Sequence, residues 1–134
     1  MINPIEHART KDASNKYKVE PYVIPADIYG CNNLAGRGGW TWYTGSSSWY
    51  YKAGIEYILG LKINKGFMSI QPCIPKEWKE YSIRYKWKNS VYNINVKNPN
   101  NKNSGVEKIL VNGIEYENKI KLEDNGIFNI EVEL

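Results

Sequence analysis

The segment from residue 36 to 54, GRGGWTWYTGSSSWYYKAG, has residue types that could bind an anion. Its glycines let the backbone approach a ligand, because they have no Cβ. A helix that begins near Thr44-Gly45 would point its first amides outward, where the helix dipole favours negative charge. Thr44 and Ser46 add hydroxyl groups, and Arg37 adds a positive charge. We therefore predict a phosphate cradle here.

The same segment places flat aromatic side chains beside the predicted cradle. Trp40, Trp42 and Tyr43 precede the helix start. Their apolar faces suit sugar rings, which have apolar faces and polar edges. These three side chains are therefore candidate substrate contacts, together with Arg37 and Ser46.

A purely structural interpretation stays open for this segment. Thr44 or Ser46 can be an ordinary helix N-cap, Gly38-Gly39 a bend, and the tryptophans part of a core. The P-loop pattern GxxxxGK[ST] is absent, so the residues do not indicate a nucleotide-binding loop.

Composition limits the classes of function. The chain has 134 residues, a net charge of +4, and lysines scattered among glutamates, which argues against nucleic-acid binding. Five tryptophans and 11 tyrosines stand against two phenylalanines, an excess that favours surfaces for ligands, sugars or partners, although half-buried strands explain it equally well.

The cysteines and the apolar segments indicate in which cellular compartment the protein is expected. Cys31 and Cys73 lie in no CxxC or His/Cys cluster, so we expect no zinc site and two buried free thiols in a reducing compartment. No apolar run approaches the roughly 18 residues of a membrane span. The first 16 residues lack the apolar core of a signal peptide, so we expect a cytoplasmic protein.

The first half of the chain is expected to be helical and irregular. Residues 3–21 are polar and predict a connection, a short helix is predicted from Pro25 to Gly30, and CNNLAGRGG predicts a loop. Residues 46–59 have helical spacing with apolar residues on almost every side. Such a helix is normally buried, yet the chain has few partners for it, which indicates that the chain is incomplete.

The second half alternates like β-strands. Ile83, Tyr85 and Trp87 share one face, as do Tyr92, Ile94 and Val96, and Asn89-Ser90 predicts the turn between these strands. Asn112-Gly113 predicts a type I′ turn. The last strand points inward with Phe128, Ile130, Val132 and Leu134, and residues 70–78 form a connector. Short antiparallel strands at this spacing predict a small β-sandwich.

Three motifs in this order resemble glycoside hydrolase family 94: EPYVIPADIYG, GRGGWTWYTGSSSWYYKAGIEYILGLK, and IQPCIPKEWKEYSIRYKW followed by YNINVKNP. The family includes cellobiose, chitobiose and β-1,2-oligoglucan phosphorylases and the C-terminal region of cyclic β-1,2-glucan synthases. The motif GRGGWTWYTGS is most similar to the β-1,2-glucan branch, since the cellobiose branch usually has Leu at the position of Tyr43. The resemblance covers residues 3–96 and continues more weakly to the end.

The resemblance implies an α+β chain: the last helices of an (α/α)6 barrel in residues 1–60, then a small antiparallel β-sandwich domain in residues 61–134. It also implies an inverting phosphorylase, in which inorganic phosphate attacks the anomeric carbon while an Asp protonates the leaving oxygen. Thr44 and Gly45 match the family's phosphate-contacting pair. No cofactor is expected beyond phosphate as co-substrate.

Two functional groups of the family have no match here. The general acid Asp and the phosphate-binding His lie in earlier motifs, so this chain is expected to be inactive alone. Asp27 belongs to another motif and is expected to start a helix, and His7 is expected to be structural. The family's β-1,2 branch often has Pro-Pro-His where this chain has CNNLAG, so the contacts of that loop differ.

The expected partners are a β-linked gluco-oligosaccharide, phosphate and the rest of the barrel, with a homodimer as a further arrangement to consider. Two other hypotheses remain. The chain could be a non-catalytic carbohydrate-binding module, as its Trp and Tyr excess suggests, or its β-domain could serve only to pack against the barrel or a second subunit.

Overall fold

The structure, a computed structural model, describes residues 3–20, 23–41 and 44–134. It divides into two compact units, Met1–Lys52 and Ala53–Leu134. The first unit contains helices α1 (Pro4–His7) and α2 (Lys11–Tyr17), a 3-10 turn at Asn32–Leu34, and α3 (Thr44–Ala53), whose last residue belongs to the second unit.

The predicted polar connection is wrong, because it contains α1 and α2. The Asn3 side chain accepts a hydrogen bond from the Ile5 amide at 3.1 Å, and Thr10 Oγ1 accepts one from the Ala13 amide at 3.1 Å. Both are side-chain caps that satisfy amides with no intrahelical partner. Local capping therefore specifies short helices where the hydrophobic spacing is weak.

The predicted helix at Pro25–Gly30 is also wrong. This segment is extended and pairs with the segment that contains the glycines, with an antiparallel bridge between Ile28 and Gly38. The Ala26 amide donates to the Trp40 carbonyl at 2.7 Å, and the Tyr29 amide donates to the Arg37 carbonyl at 2.9 Å. These hydrogen bonds between the two segments pair the backbone N–H and C=O groups that a helix would otherwise pair internally.

The helix predicted at residues 46–59 is present as α3 followed by a π-helical turn at Gly54–Ile58. Its predicted burial is not found within the described residues. Trp49 is 71% exposed and Tyr51 is 73% exposed. The predicted loop around CNNLAGRGG contains the 3-10 turn. No helix in the described ranges has the length and apolar content of a membrane span.

The second unit is built from eight strands in two sheets. The strands are β1 (Leu61–Asn64), β2 (Phe67–Ile70), β3 (Glu80–Trp87), β4 (Ser90–Lys97), β5 (Lys108–Val111), β6 (Ile114–Glu115), β7 (Ile120–Lys121) and β8 (Ile127–Glu133). The strand orders are β1-β2-β7 and β3-β4-β8-β5-β6.

The larger sheet is mixed, which corrects the predicted all-antiparallel sandwich. Strand β8 lies between β4 and β5 and runs parallel to β4, with Ile94 opposite Ile130. Hairpin signals report only neighbours in sequence, and this pairing joins strands that are separated by β5, β6 and β7. Side chains of both sheets still form one core, which includes Met68, Ile70, Tyr92 and Val132.

The strand faces and one turn are confirmed. Tyr92, Ile94 and Val96 are buried, as are Ile130, Val132 and Leu134. Asn112 and Gly113 have φ of 50° and 82°, as a type I′ turn requires. The β3–β4 turn lies one residue earlier than predicted, because Trp87 pairs with Ser90 and leaves Lys88 and Asn89 in the loop.

Both cysteines are exposed free thiols, contrary to the predicted burial. Cys31 precedes the 3-10 turn, and Cys73 lies in the predicted connector between β2 and β3. Irregular segments of this kind run over the surface, so the usual preference of cysteine for a core does not apply.

Gly60 fixes the path from the π-helical turn into β1. Its φ is +78°, and a Cβ would lie 2.2 Å from the carbonyl carbon of Gln71. The Gln71 amide donates to the Gly60 carbonyl at 2.9 Å, which holds the two backbones together. Only glycine satisfies both the left-handed φ and the close approach.

We expect Gly60→Ala to lower the free energy of unfolding by about 3–5 kcal/mol, because it adds a backbone clash to the strain of positive φ. Gly113→Ala is the matched control, since Gly113 has φ +82° with no atom within 4 Å of an added Cβ. It should cost only about 1–2 kcal/mol. Urea unfolding followed by circular dichroism measures both values, and equal costs would show that crowding at Gln71 plays no part.

Candidate functional site

The candidate phosphate site is the first turn of α3. Thr44 is its first residue, and Gly45 and Ser46 follow in the same turn. The first four amides of an α-helix have no intrahelical acceptor, and the positive end of the helix dipole lies at the same place. The turn can therefore offer backbone N–H groups to an anion.

Gly45 is exposed, and no atom lies within 4 Å of the position its Cβ would take. Its φ is outside the left-handed region. Neither packing nor backbone strain within the described residues therefore requires glycine here. Glycine in a helix costs roughly 0.5–1 kcal/mol relative to alanine, so its presence fits a group that approaches from outside this chain.

The glycines before the helix have a different role. A Cβ on Gly39 would lie 2.1 Å from Asp27 Oδ1, and a Cβ on Gly38 would lie 2.3 Å from Val19 Cγ2. The close approach that the sequence suggested is therefore made by the protein's own side chains. A side chain at Gly38 or Gly39 would displace these neighbours.

Asp27 does not start a helix, contrary to the sequence-based expectation. It lies in the extended pair, where its Oδ1 accepts a hydrogen bond from the Trp40 amide at 3.2 Å. Its own backbone carbonyl accepts one from the Gly39 amide at 2.9 Å. The carboxylate holds the segment that leads toward α3, which is a structural role.

The other predicted contacts lie on this segment or outside the described residues. Arg37 is exposed, and Trp40 is 74% exposed. Trp42 and Tyr43, two of the predicted substrate contacts, lie outside the described residues. The structure thus brings Thr44, Gly45 and Ser46 into one helical turn, whereas Arg37 and Trp40 belong to the paired segment that precedes it.

Tyr17 is a buried residue that sequence reasoning missed. It is 1% exposed, and its ring stacks on the His7 ring with centroids 4.3 Å apart. Its hydroxyl has no hydrogen-bond partner in the described structure, and burial raises its pKa. The stacking agrees with the structural interpretation of His7. No sequence signal marks Tyr17, because it ends a short polar helix.

We expect Gly39→Ala to loosen the pairing of residues 26–29 with 37–40, because the new methyl group would displace the Asp27 carboxylate. Amide hydrogen exchange at Gly39 and Trp40 should speed up about tenfold or more, the equivalent of 1.4 kcal/mol of local opening. Gly45→Ala, which has open space, should leave these rates unchanged. Unchanged exchange in Gly39→Ala would contradict the packing role of Gly39.

Comparison with known proteins gives two family matches. Residues 1–60 match the model described as Glycosyl hydrolase 94 superfamily, catalytic domain. Residues 61–118 match the model described as Glycosyl hydrolase family 65, C-terminal domain.

Individual relatives agree with these matches. The cyclic β-(1,2)-glucan synthase NdvB of Rhizobium meliloti is 48% identical over 96 residues, which are 72% of this chain and 3% of that protein. The N,N′-diacetylchitobiose phosphorylase of Vibrio proteolyticus is 34% identical over 129 residues, 96% of this chain and 16% of that protein. The solabiose phosphorylase of Paenibacillus borealis is 30% identical over 97 residues, which are 72% of this chain and 13% of that protein. The chain thus spans only a small part of each relative.

Proposed function

Because this chain belongs to glycoside hydrolase family 94, we propose that it is the C-terminal part of an inverting phosphorylase of β-linked gluco-oligosaccharides. Residues 1–60 would supply the last helices of the catalytic (α/α)6 barrel, and residues 61–134 the β-domain. Phosphate would be the co-substrate. The observation that carries the site is Gly45, in the first turn of a helix, where no described residue packs closely enough to require glycine.

The distribution of buried side chains supports a larger parent. Within the described part of residues 1–52, the buried hydrophobic residues are Tyr17 and Val23, whereas Trp40, Trp49 and Tyr51 are exposed. Large aromatic side chains gain most of their stabilisation from burial. We infer that further barrel helices cover α3.

In this proposal a phosphate oxygen attacks the anomeric carbon from the face opposite the glycosidic bond. The bond to the leaving oxygen breaks, and an aspartic acid outside this chain protonates that oxygen. The amides at Thr44 and Gly45 would hold the phosphate and offset its charge. Arg37, Trp40, Trp42, Tyr43 and Ser46 would border the sugar.

Asp27 is a poor candidate for the missing acid. Its carboxylate is engaged by the Trp40 amide and packs on Gly39. A general acid must instead reach the glycosidic oxygen with a free proton. The family resemblance places the proton donor in an earlier motif, so in this proposal the chain alone lacks it.

The β-1,2-glucan type is favoured as the substrate class. The relative with 48% identity is a cyclic β-(1,2)-glucan synthase, and the matched phosphorylases are 28–38% identical. The same comparison supports a second candidate, namely that the parent is a cyclic β-1,2-glucan synthase. A non-catalytic sugar-binding module is a third candidate, favoured by the exposed Trp40 ring.

We expect the 134-residue chain alone to release no sugar phosphate from β-1,2- or β-1,4-linked glucans in the presence of phosphate, because it lacks the general acid. Chromatography of the reaction products measures this directly. Phosphorolysis by the isolated chain would contradict the proposal. Saturable quenching of tryptophan fluorescence by oligosaccharide, lost in Trp40→Ala, would favour the sugar-binding module.

In the longer gene product, Gly45→Ala should raise the KM for phosphate about tenfold, because a methyl group would separate the helix amides from the anion and weaken a charge-assisted hydrogen bond. The KM for the glucan should change little. Gly54→Ala is the matched control, since Gly54 lies in the following π-helical turn and also has open space. Equal effects of the two substitutions on phosphate would contradict a phosphate contact at Gly45.

A further inference from the structure

Two neighbouring cavities lie wholly within the second unit. The first has a volume of about 630 Å³, and its lining includes Cys73, Val106 and Tyr116. The second has a volume of about 440 Å³, and its lining includes Asn64, Phe67 and Lys119. Gln71 and Asn118 line both, so the two cavities adjoin, and we refer to them together as the groove. Each is within the size range of small-molecule sites.

Asn118 fixes the middle of the groove. Its Oδ1 accepts a hydrogen bond from the Ile70 amide at 2.8 Å, and its Nδ2 donates one to the Ile70 carbonyl at 2.8 Å. The side chain thus continues the pairing that β7 makes with β2 at Met68 and Ile120. A junction held by two hydrogen bonds and a strand pair is already ordered before any ligand arrives, which lowers the entropic cost of binding.

Each cavity contains one aromatic ring. Tyr116 lines the first and is 47% exposed, although tyrosine rings in folded domains usually bury more of their surface. Phe67 lines the second, with Lys119 Nζ 4.9 Å from its ring centroid. Tyr116 provides the open apolar platform of the groove, because the Lys119 ammonium group lies over the Phe67 ring. Such a platform suits sugar units, whose rings have apolar faces.

The polar lining favours a neutral ligand. Acidic Glu107 and Glu117 are opposed by basic Lys65, Lys108 and Lys119, which leaves one excess positive charge in the lining. Glu107 also forms an ion pair with Lys102. The other side-chain donors and acceptors include the amides of Asn64, Gln71 and Asn118 and the hydroxyls of Ser69, Ser104 and Tyr116. A groove with nearly balanced charge does not favour an anion such as phosphate or nucleic acid, whereas amides and hydroxyls pair well with sugar hydroxyls.

We propose that this groove, formed by residues between Asn64 and Lys119, binds a neutral oligosaccharide. It is a second sugar site in addition to the one proposed at the start of α3, and it does not depend on phosphorylase chemistry. In a polymer-acting enzyme, such a site would hold one part of the glucan while another part occupies the catalytic unit, which raises the effective concentration of substrate.

The test is calorimetric titration of the 134-residue chain with linear β-1,2- and β-1,4-linked glucopentaoses. At least one sugar should bind, and Tyr116→Ala should raise its dissociation constant about tenfold, because the stacking on the ring is lost. Tyr57→Ala is the matched control, because Tyr57 is an exposed tyrosine of the same unit outside the groove. Absence of binding by both sugars, or equal effects of the two substitutions, would overturn the proposal.

Cysteine alkylation locates the bound sugar independently. Cys73 lines the groove, and Cys31 is exposed in the first unit. Saturating glucopentaose should slow alkylation of Cys73 by iodoacetamide several-fold and leave Cys31 unaffected, as measured by mass spectrometry. Binding that quenches tryptophan fluorescence, is lost in Trp40→Ala and leaves Cys73 unprotected would place the sugar in the first unit and overturn the groove.

Discussion

Burial of hydrophobic side chains stabilises the second unit far more than the described part of the first. The second unit closes a core from both of its sheets, including Met68, Ile94 and Val132. Within the described part of the first unit, the buried hydrophobic residues are Tyr17 and Val23. A segment of about 50 residues with so little buried apolar surface cannot offset the conformational entropy of its own ordering. In our proposal, helices from the rest of a larger protein cover this unit.

The glycines of the GRGGWTWYTG segment differ in how closely other side chains approach them. The side chains of Val19 and Asp27 fill the space that a Cβ would take at Gly38 and Gly39. At Gly45, the described residues leave the position of a Cβ open. The glycines nearest the tryptophans thus set the path of the backbone. Gly45, in the first turn of α3, is the glycine that contacts phosphate in our proposal.

The sequence predicted the second half of the chain better than the first. Alternating burial in β3, β4 and β8 and the Asn112-Gly113 turn depend on local spacing, which is visible in one sequence. The parallel pairing of β4 with β8 depends on contacts between distant segments, which periodicity does not report. In the first half, the caps Asn3 and Thr10 and the pairing of Ile28 with Gly38 outweighed the weak hydrophobic pattern.

The candidate site was predictable in part for the same reason. A helix that starts at Thr44 follows from local signals, and the structure has it. The contact between Asp27 and Gly39 joins residues 12 positions apart and had no signature in the sequence. Membership of family 94 was predictable because three motifs occur in order along the chain. The exposure of Trp49 and Tyr51 on α3 was not predicted, because hydrophobic spacing reports a buried helix without showing what covers it.

The most direct test of the central claim is the mass of the native polypeptide in its source cell, measured by blot with an antibody to residues 1–134. Our account predicts a band far larger than the 15.5 kDa of this chain, because the first unit needs barrel helices from the same protein. A single band at 15.5 kDa would contradict it. The chain would then fold and act alone, and Thr44-Gly45 could not be part of a phosphorylase barrel.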